Sequence, residues 1–544
     1  MVVLTLLPPE ILHHIFRWLS PLELLLLPLV CRVFRHYVKG NRALFHDAYK
    51  LLLDTPHDGD VALDWEVELR RIARLESICQ RSTAAEKESE LEFVSETVDR
   101  LLSLARSHGR TSDNSHTHAA SRNAQVLARL FKEPSTREAF LQRSFLFERV
   151  RGGDGATLRL TDPPKRHHQL SAKLHCLYGR PILNIGRLRS TRTYPYAASK
   201  VYDLRHYTAR TRWGPFLDDG SDGVDWEKVE AALVVLGYNL SLRRVMKLFA
   251  DVWDSPFSGT WPRSYISSPG PSLTPIEASD PYGVTGTWYR PFLPRAAPQL
   301  RGRLTLSAQV ICFLDFNDFF KFNFPVGPGF GQALNIPRPP LNVGEATRLI
   351  VMRIHVTAVE PPGPEDGQSL PVVRFRGMSR SLDDSWDDNA NSDIRGTVRL
   401  TRQGEVRWTT VSVVHGEERW RSEGVQLGGV RSARGVVGNW FDSNYDDQGP
   451  AGPTAFWKVT DSKTAGDTIH NLLTDNFLVT YNTMAYMEDS DPEAEMDYEV
   501  QDEDEDEDED VDSEPVAGEI PGLLLDAQLE VADLVAGNTA AMDE

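Results

Sequence analysis

Cysteine is scarce in this chain. Cys31, Cys79, Cys176 and Cys312 are widely spaced in 544 residues, with no CxxC pair. That excludes a disulfide scaffold and argues against a thiolate zinc cluster; a reduced cytoplasmic or nuclear compartment is expected. Long apolar runs are missing too. Nothing approaches the roughly 18 residues of a membrane span, and the apolar start at 1–9 lacks the basic residues of a signal peptide. No membrane association is expected. Basic residues vanish from the C-terminal end: 488–544 holds 24 Asp and Glu and no Lys or Arg. The whole chain has 59 basic and 78 acidic residues, net −19, so residues 1–487 keep 54 acids against 59 bases. The acidity belongs to a tail, and the near-neutral body gives no reason to expect nucleic-acid binding.

Catalytic motifs are absent as well. There is no GxxxxGK[ST] phosphate loop and no HExxH. The stretch from Gly377 through Ser379 to Ser381 fails the GxSxG pattern at its last glycine. The segment from Asp442 to Asp447 starts like a calcium loop, but Asp447 stands where glycine is needed, so it reads as a polar turn. His13-His14 and His167-His168 are adjacent pairs, and neighbours on a helix or strand are expected to point apart. No catalytic residue, cofactor or metal is therefore expected.

What is present falls into four zones. Residues 1–50 are short, Leu-rich and helical in pattern. Residues 51–165 are helical and more charged: Trp65, Leu69, Ile72, Leu75 and Cys79 share one helix face, as do Leu91, Val94, Val98, Leu101 and Ala105. A polar loop is expected at 108–118. Between 170 and 484 strand patterns take over, with 310–324 and 349–358 rich in β-branched and aromatic residues. Val398 and Leu400, then Val406 and Trp408, alternate with polar residues about a turn at Gln403-Gly404, which predicts a hairpin. One helix over 226–236 interrupts this zone, with Asp225 as cap and Gly237 as stop. Pro-rich stretches near 255–275 and 325–340 read as long loops. Residues 485–544, with unbroken Asp and Glu at 502–510, are expected to stay disordered. The fold class is α+β: short N-terminal helices, a helical linker, a β-rich and barrel-like domain, and an acidic tail.

The most informative segment is 7–35. Pro8 and Pro9 can open a helix, since a helix start has no use for the missing N–H. Ile11, Leu12, Ile15, Phe16 and Leu19 give that helix a broad apolar face. Ser20-Pro21 ends it, Leu22 and 24–27 form a short, almost wholly apolar second helix, and Pro28 breaks the chain again. Val30, Cys31, Val33 and Phe34 add a third stripe. Three short helices cannot hide this much apolar surface among themselves, so the excess is expected to be an interface.

The order Leu7, Pro8, Glu10, Ile11, Leu12, Ile15, Phe16, Leu19, then Pro21, Glu23, Leu24, Leu25, then Val30, Cys31, Arg32, Phe34, Arg35 resembles an F-box. The resemblance implies docking onto the Skp adaptor of a cullin-RING ubiquitin ligase, with Leu7, Pro8, Ile11, Leu12, Ile15, Phe16, Leu19, Leu24, Leu25, Val30, Cys31 and Phe34 as adaptor-binding residues. It implies a non-catalytic substrate receptor of the SCF type, linked through the adaptor to cullin and RING subunits and binding an unknown protein substrate. An adaptor-bound scaffold acting outside the ligase is the alternative. Further along, VYDLRHYT (201–208), WGPF (213–216), DPYGVTGTW (280–288) and 423–442 resemble the large C-terminal region of fungal F-box proteins and, more weakly, the β-barrel modules of F-box-only proteins.

A substrate site is expected within 416–452. Eight glycines there allow sharp bends or close backbone approach. Arg419, Arg421, Arg431 and Arg434 stand among Trp420, Trp440 and Tyr445, the residue types that interface hot spots favour. Arginine could pair a phosphate or carboxylate there; a barrel corner would use the same residues for bends and core.

Overall fold

The computed structural model describes residues 4–54, 63–104, 118–119, 121–152, 165–177, 187–242, 265–266, 275–292, 316–324, 338–341, 348–381, 391–430, 432, 435–446 and 448–460. The acidic tail, most of the polar segment at 108–118 and most of both Pro-rich stretches lie outside these residues. So do Arg431 and Arg434.

Helices come first: α1 (Pro9–Phe16), α2 (Pro21–Val30), α3 (Arg32–Val38), α4 (Arg42–Leu52), α5 (Trp65–Cys79), α6 (Ala84–Lys87), α7 (Leu91–Ser103), α8 (Arg122–Leu130), α9 (Pro134–Leu141), α10 (Phe145–Gly152), α11 (Arg166–Leu177), α12 (Arg187–Val201) and α13 (Trp226–Leu242). Their starts are written in the sequence. Asp64 caps α5 by accepting from the Glu66 and Val67 amides, and Ser121 accepts from Ala124 at the head of α8. The stripe Leu69, Ile72, Leu75 and Cys79 is buried against Leu91, Val94 and Val98, in one core with the N-terminal helices.

A two-residue ribbon, β1 (His118–Ala119) with β2 (Tyr265–Ile266), stands apart from the main sheet. That sheet runs β3 (Gly286–Phe292), β4 (Arg348–Glu360), β5 (Val372–Ser381), β6 (Asn391–Leu400), β7 (Val406–Val414), β8 (Glu417–Gln426), β9 (Val436–Asp442) and β10 (Ala451–Thr460). Each strand pairs antiparallel with the next, and β10 returns to pair with β3, so the sheet closes into an up-and-down barrel with no free edge. The helices-then-barrel order is the α+β architecture expected. The β6–β7 hairpin has the expected register, Val398 opposite Trp408 and Leu400 opposite Val406, with all four side chains buried. Gly404 takes the left-handed conformation the turn requires, at φ 88°. Inside the barrel, Trp408 packs between Phe375 and Phe456 and donates to Gln426 at 2.9 Å.

Three sequence expectations change. The run at 310–324 was expected to be a strand; its described part is a helix, Phe316–Asn323. Burial explains this: Phe319 and Phe322 face the core while Phe320 stays exposed, a helical spacing that a run of phenylalanines conceals. Gly237 does not stop its helix, because α13 continues to Leu242. Tertiary burial outweighs the local cost of one glycine: Ala231 to Leu236 are all buried, as befits a helix apolar on every side. Helices also persist further than the composition suggests, since α11, α12 and α13 all lie beyond residue 165.

These late helices join the two halves. On α11, Leu174 and Leu177 enter the N-terminal core, while Ala172 and Cys176 enter a second core with α12 and α13. That second core includes Val425, Val437, Phe441, Ala451 and Ala455 from the outer face of the barrel. Polar ties cross the same seam. Lys173 Nζ reaches Asp99 of α7 and Glu405 of the β6–β7 turn, each at 2.9 Å. Asn439 of β9 donates to the Tyr207 hydroxyl at 2.7 Å, which donates to the Val201 carbonyl at 2.6 Å.

Lys228 of α13 is buried at this seam. Its Nζ donates to the His206 and Gly214 carbonyls at 3.3 and 3.2 Å and lies 3.9 Å from the centre of the Tyr207 ring. Burial, partly offset by Asp225 and reinforced by Lys200, pushes its ammonium down to about 7. Between there and the ordinary value of 10.5, the unfolded chain binds a proton that the folded chain does not. Stability from this group therefore rises with pH across that window and is lost as pH falls toward 7. Urea unfolding of wild type and Lys228→Met at pH 7.5 and 9.5 should show the wild type gaining on the variant, by at most about 1.4 kcal/mol per pH unit. A constant difference would mean that Lys228 keeps its proton.

Candidate functional site

Two regions were expected to carry function: the N-terminal helices and the 416–452 end of the barrel. In the first, Pro9 opens α1 and Ser20 opens α2 with a full capping box. The Glu23 carboxylate accepts from the Ser20 amide at 2.9 Å while the Ser20 hydroxyl accepts from the Glu23 amide at 3.3 Å. The first of these bonds holds the Glu23 carboxyl below its usual range. Pro28 does not break α2; the helix runs to Val30 and the chain turns at Cys31, which is extended at φ −159°. Arg35 Nε donates to the Pro28 carbonyl at 3.1 Å, bracing α2 against α3. His13 of α1 contacts Asp47 of α4 at 3.0 Å, and Tyr37 donates to the Pro9 carbonyl at 3.0 Å. Although burial opposes it, hydrogen bonds from His13 and His46 hold the Asp47 carboxyl below its ordinary value.

The expected adaptor-binding residues divide by face. Leu12, Phe16, Leu24 and Phe34 turn inward and are buried; Phe16 meets Phe34 edge-on, ring centres 5.1 Å apart. They hold the bundle together and offer no docking surface. Leu7, Leu19, Leu25 and Cys31 are half-buried. Pro8, Ile11, Ile15 and Val30 are exposed. Sequence reasoning missed Trp18, 65% exposed, together with Leu29 and Val33. The signal was partly there: Ile11 and Ile15 stand one turn apart on α1, and Trp18 follows in the turn just past its end. These exposed side chains, with Leu4 and Leu6, leave the apolar excess of the three helices facing water.

At the barrel, strand alternation splits the expected substrate residues. Trp420 pairs opposite Asp442 and Ser422 opposite Trp440, on the inner face of β8 and β9. Trp420 and Trp440 meet edge-on at 5.4 Å. Trp440 is buried, and a Cβ at Gly452 would stand 2.8 Å from its Nε1, so glycine is needed under the indole. The Trp420 Nε1 is buried without a hydrogen-bond partner. Arg419 and Arg421 take the outer face. Arg421 donates to Glu418 at 2.8 Å and to the Tyr445 hydroxyl at 2.7 Å, and Arg395 also pairs with Glu418. Tyr445, at φ 58° and exposed, packs on Phe441 and Trp213. The structure thus brings Arg421 and Tyr445 together, places Trp420 and Trp440 behind them inside the barrel, and leaves Arg419 exposed. Of the four arginines expected to offer a phosphate or carboxylate partner, Arg421 is already paired. Residues 442–446 turn as expected for the 442–447 segment, of which Asp447 lies outside the described residues; the Asp442 and Asp446 carboxylates accept from the Asn444 and Gln448 amides.

One of the two adjacent histidine pairs meets a shared partner. His167 and His168, in the first turn of α11, both approach the Glu148 carboxylate of α10. Neighbours on a helix diverge by about 100°, so a third group between them can meet both.

The geometry of the first region coincides with a family assignment. Residues 4–50 match the family described as F-box-like. The chain carries an F-box-like domain. No curated protein and no solved structure matches the chain. An F-box-like domain points to docking on a Skp-type adaptor of SCF ligases, and proteins that carry one are typically non-catalytic substrate adaptors. The domain spans α1 to α4, which holds both the buried Leu12–Phe16–Leu24–Phe34 set and the exposed Ile11–Ile15–Trp18 stripe.

Proposed function

We propose that this chain is the substrate-receptor subunit of an SCF-type cullin-RING ubiquitin ligase. The observation that carries the reading is the exposed stripe of Ile11, Ile15 and Trp18, with Leu29, Val30 and Val33, on the F-box-like domain. Burying it on the Skp adaptor supplies the docking energy. The cullin and RING subunits join through that adaptor. The barrel, tied to the helices through α11, α13 and Lys173, holds a protein substrate at a fixed distance from the docking face. Ubiquitin transfer then gains from proximity, with no catalytic group needed on this chain. The barrel rim at Arg421 and Tyr445, backed by Trp420 and Trp440 inside the barrel, is the surface we assign to the substrate.

Reconstitution tests this directly. The full chain, mixed with Skp adaptor, cullin and RING subunit, should co-elute as one complex and promote ubiquitin transfer to a protein captured through the barrel. Deleting residues 4–50 should remove the adaptor and the transfer while capture of that protein persists. A chain that binds the adaptor but never cullin is instead a scaffold working outside the ligase.

A further inference from the structure

The geometry points to a divalent-metal site of the zinc class formed by Glu148, His167 and His168. One ligand atom from each residue lies within 4.8 Å of the other two. Each histidine reaches its own carboxylate oxygen: His168 Nε2 is 2.9 Å from Oε2 and His167 Nε2 is 3.7 Å from Oε1. Ligands about 2.0–2.1 Å from a tetrahedral zinc ion stand roughly 3.3 Å apart, and the two distances bracket that value. Metal entry therefore lengthens the shorter separation and shortens the longer one, each by a few tenths of an ångström, an adjustment that the partly exposed His167 and Glu148 side chains can make.

Donor chemistry narrows the ion. Two imidazoles with one carboxylate suit zinc and its first-row neighbours, whereas calcium and magnesium favour all-oxygen shells. Three protein ligands leave a fourth position for water, and His167, with 38% of its side chain exposed, gives solvent access to it. His168 is buried beside the Phe145 ring, so its imidazole is fixed before any metal arrives. The nearby Arg143 does not repel a cation unopposed, since Glu88 neutralises it at 2.7 Å.

The position suggests what the ion does. α10 contributes Leu146 to the core around α12 and α13, and α11 spans that core and the N-terminal one. A metal joining Glu148 to the first turn of α11 staples the two helices at the junction of the docking and barrel halves. Its role is structural, and it is independent of whether the chain serves in a ligase.

The test uses the full chain, passed over a chelating resin, loaded with Zn2+ or Co2+ and desalted. The wild type should retain one zinc per chain by elemental analysis. His167→Gln and Glu148→Gln, both at partly exposed positions, should lose that equivalent. Competition with a chromophoric chelator should show at least tenfold weaker binding in each variant. Zn2+ should raise the thermal midpoint of the wild type alone. The cobalt form should show tetrahedral d–d bands without a thiolate charge-transfer band. No retained zinc in the wild type, equal retention in the variants, or a thiolate band would each overturn the assignment.

Discussion

Ile15→Asp combined with Trp18→Asp abolishes capture of the Skp adaptor and leaves the chain folded. Both side chains are exposed on the F-box-like domain, so neither aspartate meets a packed interior in the free chain. In the complex both carboxylates would be desolvated without a partner. Removing a central aromatic anchor typically costs 2 kcal/mol or more, about thirtyfold in affinity, and the two substitutions together should exceed a hundredfold. Pulldown with recombinant adaptor reads the loss, and an unchanged far-UV circular dichroism spectrum with an unchanged thermal midpoint reads the fold. Leu12→Asp is the instructive contrast. It also loses the adaptor, but by placing a charge among Phe16, Leu24 and Phe34, so its thermal midpoint falls as well. Retained capture by the Ile15/Trp18 variant would move the docking face elsewhere.

The second large effect is in the barrel. Trp408→Ala should destabilise the chain by about 3–5 kcal/mol, the usual cost of emptying an aromatic site in a core. Trp408 is buried at the centre of the apolar half of the barrel, between Phe375 and Phe456 and near Val406 and Val398. Its loss also removes the donor to Gln426 Oε1, leaving a buried amide oxygen without that bond. Trp408→Phe should recover most of the packing and none of the hydrogen bond, placing it between the two. Chemical unfolding followed by tryptophan fluorescence measures the series; a cost below 1 kcal/mol for the alanine variant would show that the barrel interior is looser than its packing implies.

How much of this was legible beforehand depends on the range of the interaction. Pro9 at the start of α1, the Ser20–Glu23 capping box and the Gly404 turn are local, and each marks its element in the sequence. The family pattern located the F-box-like domain but did not say which of its apolar side chains stay exposed, because Ile11, Leu12, Ile15 and Phe16 are all apolar and only packing against Phe34 and Tyr37 separates inward from outward. The phenylalanines near 320 fit strand and helix alike until Phe319 and Phe322 find the core. The residues expected to meet a substrate stand close together in sequence, yet alternation along β8 sends Trp420 and Arg421 to opposite faces. Strand closure from β10 to β3 joins residues more than 160 apart, and Glu148 meets His168 across 20 positions of chain, so neither has a local signature.

The measurement that bears most directly on the docking assignment is amide hydrogen exchange of the full chain with and without the Skp adaptor. Docking through the exposed stripe should slow exchange in α1 to α3, over residues 9–38, and leave the strands of the barrel unchanged. Protection confined to the barrel, or none in α1 to α3 while the adaptor is bound, would contradict it.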